Sequence, residues 1–335
     1  MDKKKVIICG TGAWGTALGH SLSRAGHKVI MAGRNHDKLE HYRETCTHPA
    51  LGDDIEIDVN MIWSSDIAML LPAADVVFLS IPTQNVGVFL AQYKSFIKSD
   101  TYIVQTAKGI EISSGKLIDE VTKEYLPENP LTLLSGPGFA KDVAQNKPTA
   151  VTVASDDIQH AEYIQNLFSY SHLRPYASSD IKGVALGGAL KNVLAIAAGF
   201  VCGYGLGESA KAALITRGFA EIVRFSDFFE GTQKETFYGL SGLGDIILTC
   251  GSDTSRNFRF GTEIAQNLLL KKDQLTDPSY TAEGYHTLKA MMPLMEGKEK
   301  YFPILNSLSL LLNRQSDFAT ILENLLSRPL KWEGV

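Results

Sequence analysis

The sequence predicts an α/β half followed by an all-α half, and three observations carry that reading. Short β-branched runs alternate with amphipathic stretches as far as residue 178. A glycine-rich turn separates the first such run from the first such stretch. Beyond Asp180 the β-branched runs stop and long Leu/Ala-rich helical patterns take over.

The expected strands are Lys5–Cys9, Lys28–Ala32, Val76–Ser80, Tyr102–Gln105, Leu131–Leu134 and Thr149–Ala154, with a weaker one at His172–Pro175. Amphipathic stretches such as Trp14–Ala25, Asn85–Ile97 and Gly115–Leu126 lie between them. Apolar strands separated by helices argue for a doubly wound parallel sheet with helices on both faces. The second half reads as helices over Asp180–Val201, Glu208–Phe229, Ser255–Leu270, Ala282–Met295 and Pro303–Leu312, with a polar loop at Lys271–Ser279. A chain of 335 residues suits two domains, here 1–179 and 180–335.

Composition sets the outer bounds. Hydrophobic residues make up 44% and charged residues 21%, which excludes a disordered chain, a collagen-like chain and a disulfide-stapled mini-protein. A net charge of −5 gives no basic excess for a nucleic-acid backbone, although one local basic pocket stays possible. Cys9, Cys46, Cys202 and Cys250 are far apart without CxxC spacing, and the eight histidines form no HxxxH or HExxH, so no metal is expected. Lys3–Lys5 followed by Val6–Ile8 resembles the start of a signal peptide, but glycines at 10, 12 and 15 break the apolar run that should follow. The uncharged stretch Asn192–Gly207 is shorter than a membrane span and holds four glycines. These features predict a soluble cytoplasmic protein without stable membrane insertion.

Gly10-Thr11-Gly12-Ala13-Trp14-Gly15 fits GxGxxG in its required context, after a strand and into a helix. Gly10 permits the tight turn, Gly12 admits a pyrophosphate, and Gly15 lets helix and strand pack closely. The helix N-terminus offers free N–H groups and a positive dipole end to the anion. This is the fingerprint of a Rossmann-type dinucleotide site. Its second strand runs into Gly33-Arg34-Asn35, with no acidic residue for a ribose 2′-OH. Arg34 can pair with a 2′-phosphate, which favours NADP(H) or at least tolerates it; it can also face solvent or stack on adenine.

Three further loops follow strand ends: Ile81–Gln84, Gln105–Ile110 with Lys108, and Ser135–Ala140. In open α/β sheets ligands sit at the carboxyl ends of strands, so three marked loops there suggest a cleft. Lys191 is the most unusual residue, a lone charge within the apolar helical stretch Val184–Val201. Taken alone it reads more readily as a snorkelling lysine; the functional reading is a desolvated acid/base with a shifted pKa. Gly187, Gly188 and Ala189 would let something approach that helix closely. Asp245, ending the run Gly239–Gly244, either orients a lysine or substrate hydroxyl or caps a helix. Ser255-Arg256-Asn257 opens a helical pattern and can form a phosphate site, or Ser255 can be a plain N-cap. Glu283 sits near another helix start and can cap it.

Taken together these motifs resemble the NAD(P)-dependent glycerol-3-phosphate dehydrogenases of bacterial type. The likeness runs to about residue 312 through GTGAWGTALG (10–19), QTAKG (105–109), SGPGFAK (135–141), ALKNVLAIAA (189–198), AKAALITRG (210–218), GLSGLGDIILT (239–249), SRNFRFG (255–261) and AEGY (282–285). The resemblance implies reversible hydride transfer between NADPH or NADH and dihydroxyacetone phosphate, giving sn-glycerol 3-phosphate for glycerophospholipid synthesis, by a homodimer. It implies cofactor contacts at Ala13, Trp14, Arg34, Lys108, Ala140, Arg256, Thr281 and Glu283. It implies substrate contacts at Lys108, Gly136, Gly138, Asp245, Ser255, Arg256 and Asn257, and Lys191 as the catalytic acid/base. Gly138 stands where Ser or Thr is usual, Asp142 where Glu is, Glu208-Ser209 where Asp-Asn is, and Thr281 where an aliphatic residue is common. Another hydroxy substrate on the same architecture, or a non-catalytic NAD(P) sensor, is the alternative reading.

Overall fold

The computed structural model describes residues 2–52, 54–266, 282–329 and 332. The α/β part holds strands β1 (Lys5–Cys9), β2 (Lys28–Ala32), β3 (Ile62–Ser64), β4 (Val76–Leu79), β5 (Tyr102–Gln105), β6 (Leu131–Ser135), β7 (Thr149–Ala154) and β8 (Leu173–Ser178). Helices α1 (Ala13–Arg24), α2 (His36–Thr45), α3 (Ile67–Leu70), α4 (Thr83–Tyr93), α5 (Ile118–Tyr125), α6 (Ala140–Ala144) and α7 (Ile158–Leu167) connect them. From α8 (Ile181–Gly203) onward the chain is helical: α9 (Glu208–Phe225), α10 (Asp245–Cys250), α11 (Arg256–Ala265), α12 (Glu283–Met295), α13 (Pro303–Leu312) and α14 (Phe318–Leu326).

The strands form one sheet in the order β3-β2-β1-β4-β5-β6-β7-β8. Strands β1 to β6 run parallel, as the apolar pattern predicts. The expectation of an all-parallel sheet fails at one place: β7 pairs antiparallel to β6, and β8 follows parallel to β7. A strand buried on both faces reads the same in either direction, so the short connection through α6 decides the reversal. The helical pattern expected to reach Phe229 ends at Phe225 and passes into a 3₁₀ turn at Ser226–Phe228. Helix α11 runs to Ala265 with Gln266 as its C-cap; residues 267–270 of the predicted helix and the Lys271–Ser279 loop lie outside the described residues.

Alternation along the strands builds two cores. Ile7, Ile30, Val77 and Ile103 face one helical layer that includes α8. Val6, Ile8, Val29, Met31, Val76, Phe78 and Val104 face the layer of α1 and α7. Helix α8 is the hub of the second half. Asp180 caps it by accepting from Gly183 N–H at 2.7 Å, and residues from Ile181 to Val201 are almost all buried. Each large aliphatic side chain buried there contributes roughly 1.5–3 kcal/mol. By length and composition this 23-residue helix could cross a membrane, which the shorter uncharged run did not suggest, but 94% of its most apolar window is buried inside the protein. It is a core helix here. Strand order reverses between β1 and β4, so the carboxyl edge carries a crevice where the glycine-rich turn and Ser80 meet.

Candidate active site

The three glycines take the places their spacing requires. Gly10 has φ +117°, and a Cβ on it would lie 2.1 Å from the Ser80 carbonyl oxygen. A Cβ on Gly15 would lie 2.4 Å from the Gly10 carbonyl oxygen, so only glycine lets α1 approach β1 and β4. At Gly12 a Cβ would meet nothing within 4 Å. That open space lies at the N-cap of α1, where the first amides of a helix lack internal partners. The Gly12 amide itself has no hydrogen-bond partner among the described residues. This cradle fits a dinucleotide pyrophosphate. Ala13, Trp14 and Gly15 begin α1 at its rim, and the buried Trp14 Nε1 is unpartnered.

Arg34 is exposed at the end of β2. Strand β2 lies three strands from β5, about 14 Å along the crevice at the usual strand spacing. Arg34 is therefore separate from the lysine cluster described below.

Lys108 follows β5, and its Nζ donates to the Gly136 carbonyl oxygen at 3.1 Å and to Asp245 Oδ2 at 2.8 Å. Lys191, on α8, donates to Asp245 Oδ1 at 2.6 Å and to Thr249 Oγ1 at 2.9 Å. Thr249 in turn donates to Asp245 Oδ1 at 3.1 Å. The snorkelling reading of Lys191 fails, since the side chain is buried and turned into this cluster. The capping reading of Asp245 fails too: Gly244 is the N-cap of α10, Asp245 its first residue, and its carboxylate bridges the two lysines. Gly187 and Gly188 admit close neighbours as expected. A Cβ on Gly187 would lie 2.7 Å from the Ser241 carbonyl oxygen, and one on Gly188 2.6 Å from Ser135 Oγ.

An ammonium has three donors, and two of those on Lys191 are spent on Asp245 and Thr249. Tetrahedral geometry fixes the direction of the third, which is a proton when the amine is charged and a lone pair when it is neutral. Burial lowers the Lys191 pKa to about 8; Asp245 opposes that shift and Lys108 adds to it. Burial pushes the Asp245 carboxyl up, but Lys108 and Lys191 together hold it below the usual carboxylate range. Glu283 is half-buried as the first residue of α12, which Ala282 caps. Burial raises its pKa, while Arg256, Lys191 and Lys108 all pull it down, which places it within electrostatic reach of all three cations.

Gly136 and Gly138 lie in the loop between β6 and α6, and Ala140 opens α6. A Cβ on Gly138 would sit 3.2 Å from the Trp14 ring and 3.3 Å from Thr149 Cγ2, so that space is already filled. Ser255 caps α11, accepting from the Phe258 amide at 3.3 Å. Arg256 is exposed on its first turn. Asn257 is buried and donates to Asn192 Oδ1 at 2.9 Å while accepting from the Gly284 amide at 2.9 Å. Thr281 lies outside the described residues. Thr249 and Asn192 are not among the residues marked for the site by the sequence, and Ser135 enters only as the start of the loop that ends at Ala140. Thr249 was findable: four residues after Asp245 it shares that residue's helix face.

A family profile described as NAD-dependent glycerol-3-phosphate dehydrogenase N-terminus matches residues 5–161, and the corresponding C-terminus profile matches residues 180–323. The chain belongs to the NAD-dependent glycerol-3-phosphate dehydrogenase family. Glycerol-3-phosphate dehydrogenase, NAD(P)+, of Chelativorans sp. strain BNC1 is 41% identical over 98% of both chains. That of Rhodospirillum rubrum is 40% identical over 98% of this chain and 94% of its own. The crystal structure of glycerol-3-phosphate dehydrogenase from Coxiella burnetii superposes with a TM-score of 0.88 at 30% identity, covering 97% of this chain and 99% of that one.

Proposed function

We propose that this dehydrogenase reduces dihydroxyacetone phosphate to sn-glycerol 3-phosphate reversibly with NADPH or NADH, with Lys191 as acid/base. The buried Lys191–Asp245–Lys108 cluster at the carboxyl edge of the sheet carries the reading. When bound, the nicotinamide supplies or accepts the hydride at substrate C2. Gly10, Gly12, Ala13, Trp14 and Gly15 would hold the pyrophosphate of that cofactor, and Arg34 would meet its adenosine end. Ala140, Arg256 and Glu283 would complete its surroundings, and Thr281, outside the described residues, is assigned there by the resemblance alone.

The chain's own residues then handle the substrate. Arg256, at the N-terminus of α11 with Ser255 and Asn257, receives the phosphate with the help of the helix dipole. The backbone of Gly136 and Gly138 lines the other side. Lys108 and Lys191 each have one N–H left for the substrate, and both point positive charge at an oxygen where negative charge develops. Lys191 gives its free proton to the C2 oxygen and in the reverse direction takes it back. A pKa of about 8 suits both directions near neutral pH. Asp245 and Thr249 hold the amine on line throughout.

The division into a cofactor domain, residues 1–179, and a substrate and dimerisation domain, 180–335, belongs to the same proposal. So do a homodimeric assembly, a cytoplasmic location and supply of glycerophospholipid synthesis. Free cysteines and a buried α8 support the location.

The test is nicotinamide absorbance with dihydroxyacetone phosphate and each cofactor in turn. Rapid oxidation is expected, and Lys191→Ala should cut turnover about 10²–10⁴-fold. Unchanged turnover in that variant would remove Lys191 from the chemistry. A wild-type protein that binds NADPH but does not oxidise it with this substrate would refute the substrate assignment.

A further inference from the structure

We infer that His48 is a positioning residue for the cofactor turn, setting the Thr11–Gly12 peptide so that the Gly12 amide faces the pyrophosphate. The inference rests on the proposal above that this turn holds the cofactor.

His48 lies in the loop after α2, nearly buried, with both ring nitrogens engaged. Its Nδ1 accepts from the Ala50 amide at 3.2 Å. An accepting Nδ1 carries no proton, so the ring's single proton is on Nε2. Nε2 lies 3.0 Å from the Thr11 carbonyl oxygen and donates to it. The tautomer is thus fixed by the local chain. Burial holds the His48 pKa below the ordinary histidine value, which keeps the ring neutral. Tyr42 lies against the ring with centroids 4.7 Å apart, and Trp63 lies 5.2 Å beyond Tyr42. The imidazole therefore has little freedom to turn away.

Thr11 is the residue between the two glycines that form the cradle. In a trans peptide the carbonyl of one residue and the amide of the next point in opposite directions. No cis peptide occurs among the described residues. Pinning the Thr11 carbonyl on the His48 side therefore aims the Gly12 N–H the opposite way. That amide has no protein partner among the described residues, and the space beside Gly12 is open. This peptide turns about Thr11 ψ and Gly12 φ, and Gly12, with no Cβ and open space beside it, would otherwise let it flip. One donor from a loop about 40 residues along the chain removes that freedom before the cofactor arrives, which is preorganisation of an anion site.

The test compares wild type, His48→Leu and His48→Gln by titrating NADPH fluorescence for Kd, by steady-state kinetics, and by apoprotein melting. Leucine removes the donor; glutamine restores one near the Nε2 position. His48→Leu should raise Kd and KM for NADPH about five- to tenfold, the factor one neutral hydrogen bond supplies. It should leave kcat at saturating cofactor and KM for dihydroxyacetone phosphate within about twofold of wild type. His48→Gln should recover most of the lost affinity. Unchanged Kd in a folded Leu variant overturns the inference, and so does a folded Gln variant as weak as Leu. A fall in kcat with Kd unchanged overturns it as well. Wild-type protein that fails to bind NADPH would instead overturn the cofactor reading beneath it.

Discussion

Replacing Asp245 by Asn tests the electrostatic core of the mechanism. The carboxylate opposes the burial that depresses Lys191, whose pKa settles at about 8. An opposite charge within about 4–6 Å shifts a pKa by about 1–3 units. At 1.36 kcal/mol per pKa unit that is about 1.4–4 kcal/mol of preference for the charged amine. Asn keeps an oxygen that accepts from Lys191, so the middle of that range applies, and the Lys191 pKa should fall by about two units. At pH 7 the protonated fraction would drop from about nine-tenths to about one-tenth, so reduction should slow about tenfold from protonation alone. The assay is kcat/KM for dihydroxyacetone phosphate reduction from pH 5 to 9, which reports groups in the free enzyme and free substrate. Ionisation of the substrate phosphate is common to both proteins and cancels in the ratio of their profiles. The alkaline fall of the variant should move about two units toward acid. An unmoved limb would show that Asp245 does not set the Lys191 charge, and a slower rate would then be a matter of geometry only.

Gly10 and Gly12 should separate folding from binding. Gly10→Ala puts a Cβ against the Ser80 carbonyl at positive φ and should lower the melting temperature, whereas Gly12→Ala meets no protein atom within 4 Å and should leave melting unchanged while weakening NADPH binding at least tenfold. Equal melting of the two variants would contradict this division. Arg34→Ala should raise KM for NADPH about tenfold and leave KM for NADH nearly unchanged; equal effects on both would assign Arg34 to stacking or solvent. Buried Glu221 accepts from the Ile304 and Leu305 amides at the start of α13, and burial raises its pKa from 4.5 to about 7. The sign follows from the raised value: its contribution is full below about pH 4.5 and is lost as pH rises to about 7. The loss is about 3 kcal/mol, so Glu221→Gln should flatten urea-unfolding stability between pH 5 and 8. A wild-type profile already flat over that range would be the contrary result.

The sequence made the fold legible where burial leaves a periodic trace. Strand β1, buried along Val6–Cys9, reads as a continuous apolar run, and the helix that follows the glycine-rich turn reads as amphipathic. Strand β3 left little trace, because three edge residues, none of them buried, need no apolar pattern. Helix α2 left little either, since among its ten residues only Leu39 and Tyr42 are buried and the rest is polar. The reversal at β7 was invisible for the opposite reason, since Val151–Ala154 are buried on both faces whichever way the strand runs.

The site divides along the same physical line. Local geometry was readable: the three glycines, the N-cap Ser255 and the lone lysine in α8 each announce themselves within a few residues. Partnerships between distant segments were not. Asp245 lies 54 residues from Lys191 and 137 from Lys108, and nothing in its neighbourhood distinguishes a helix cap from a bridge between two ammonium groups. Only the fold decides, by bringing α8, α10 and the loop after β5 to one edge. The same holds for His48 and Thr11, 37 residues apart. The chemistry of this site therefore rests on a division of labour. On the proposed assignment, short motifs supply the groups that would touch cofactor and substrate, while single long-range hydrogen bonds would set the charge and direction of those groups. Substituting the second kind should move pKa values and affinities before it moves the chemistry itself, and the Asp245 and His48 variants measure that difference.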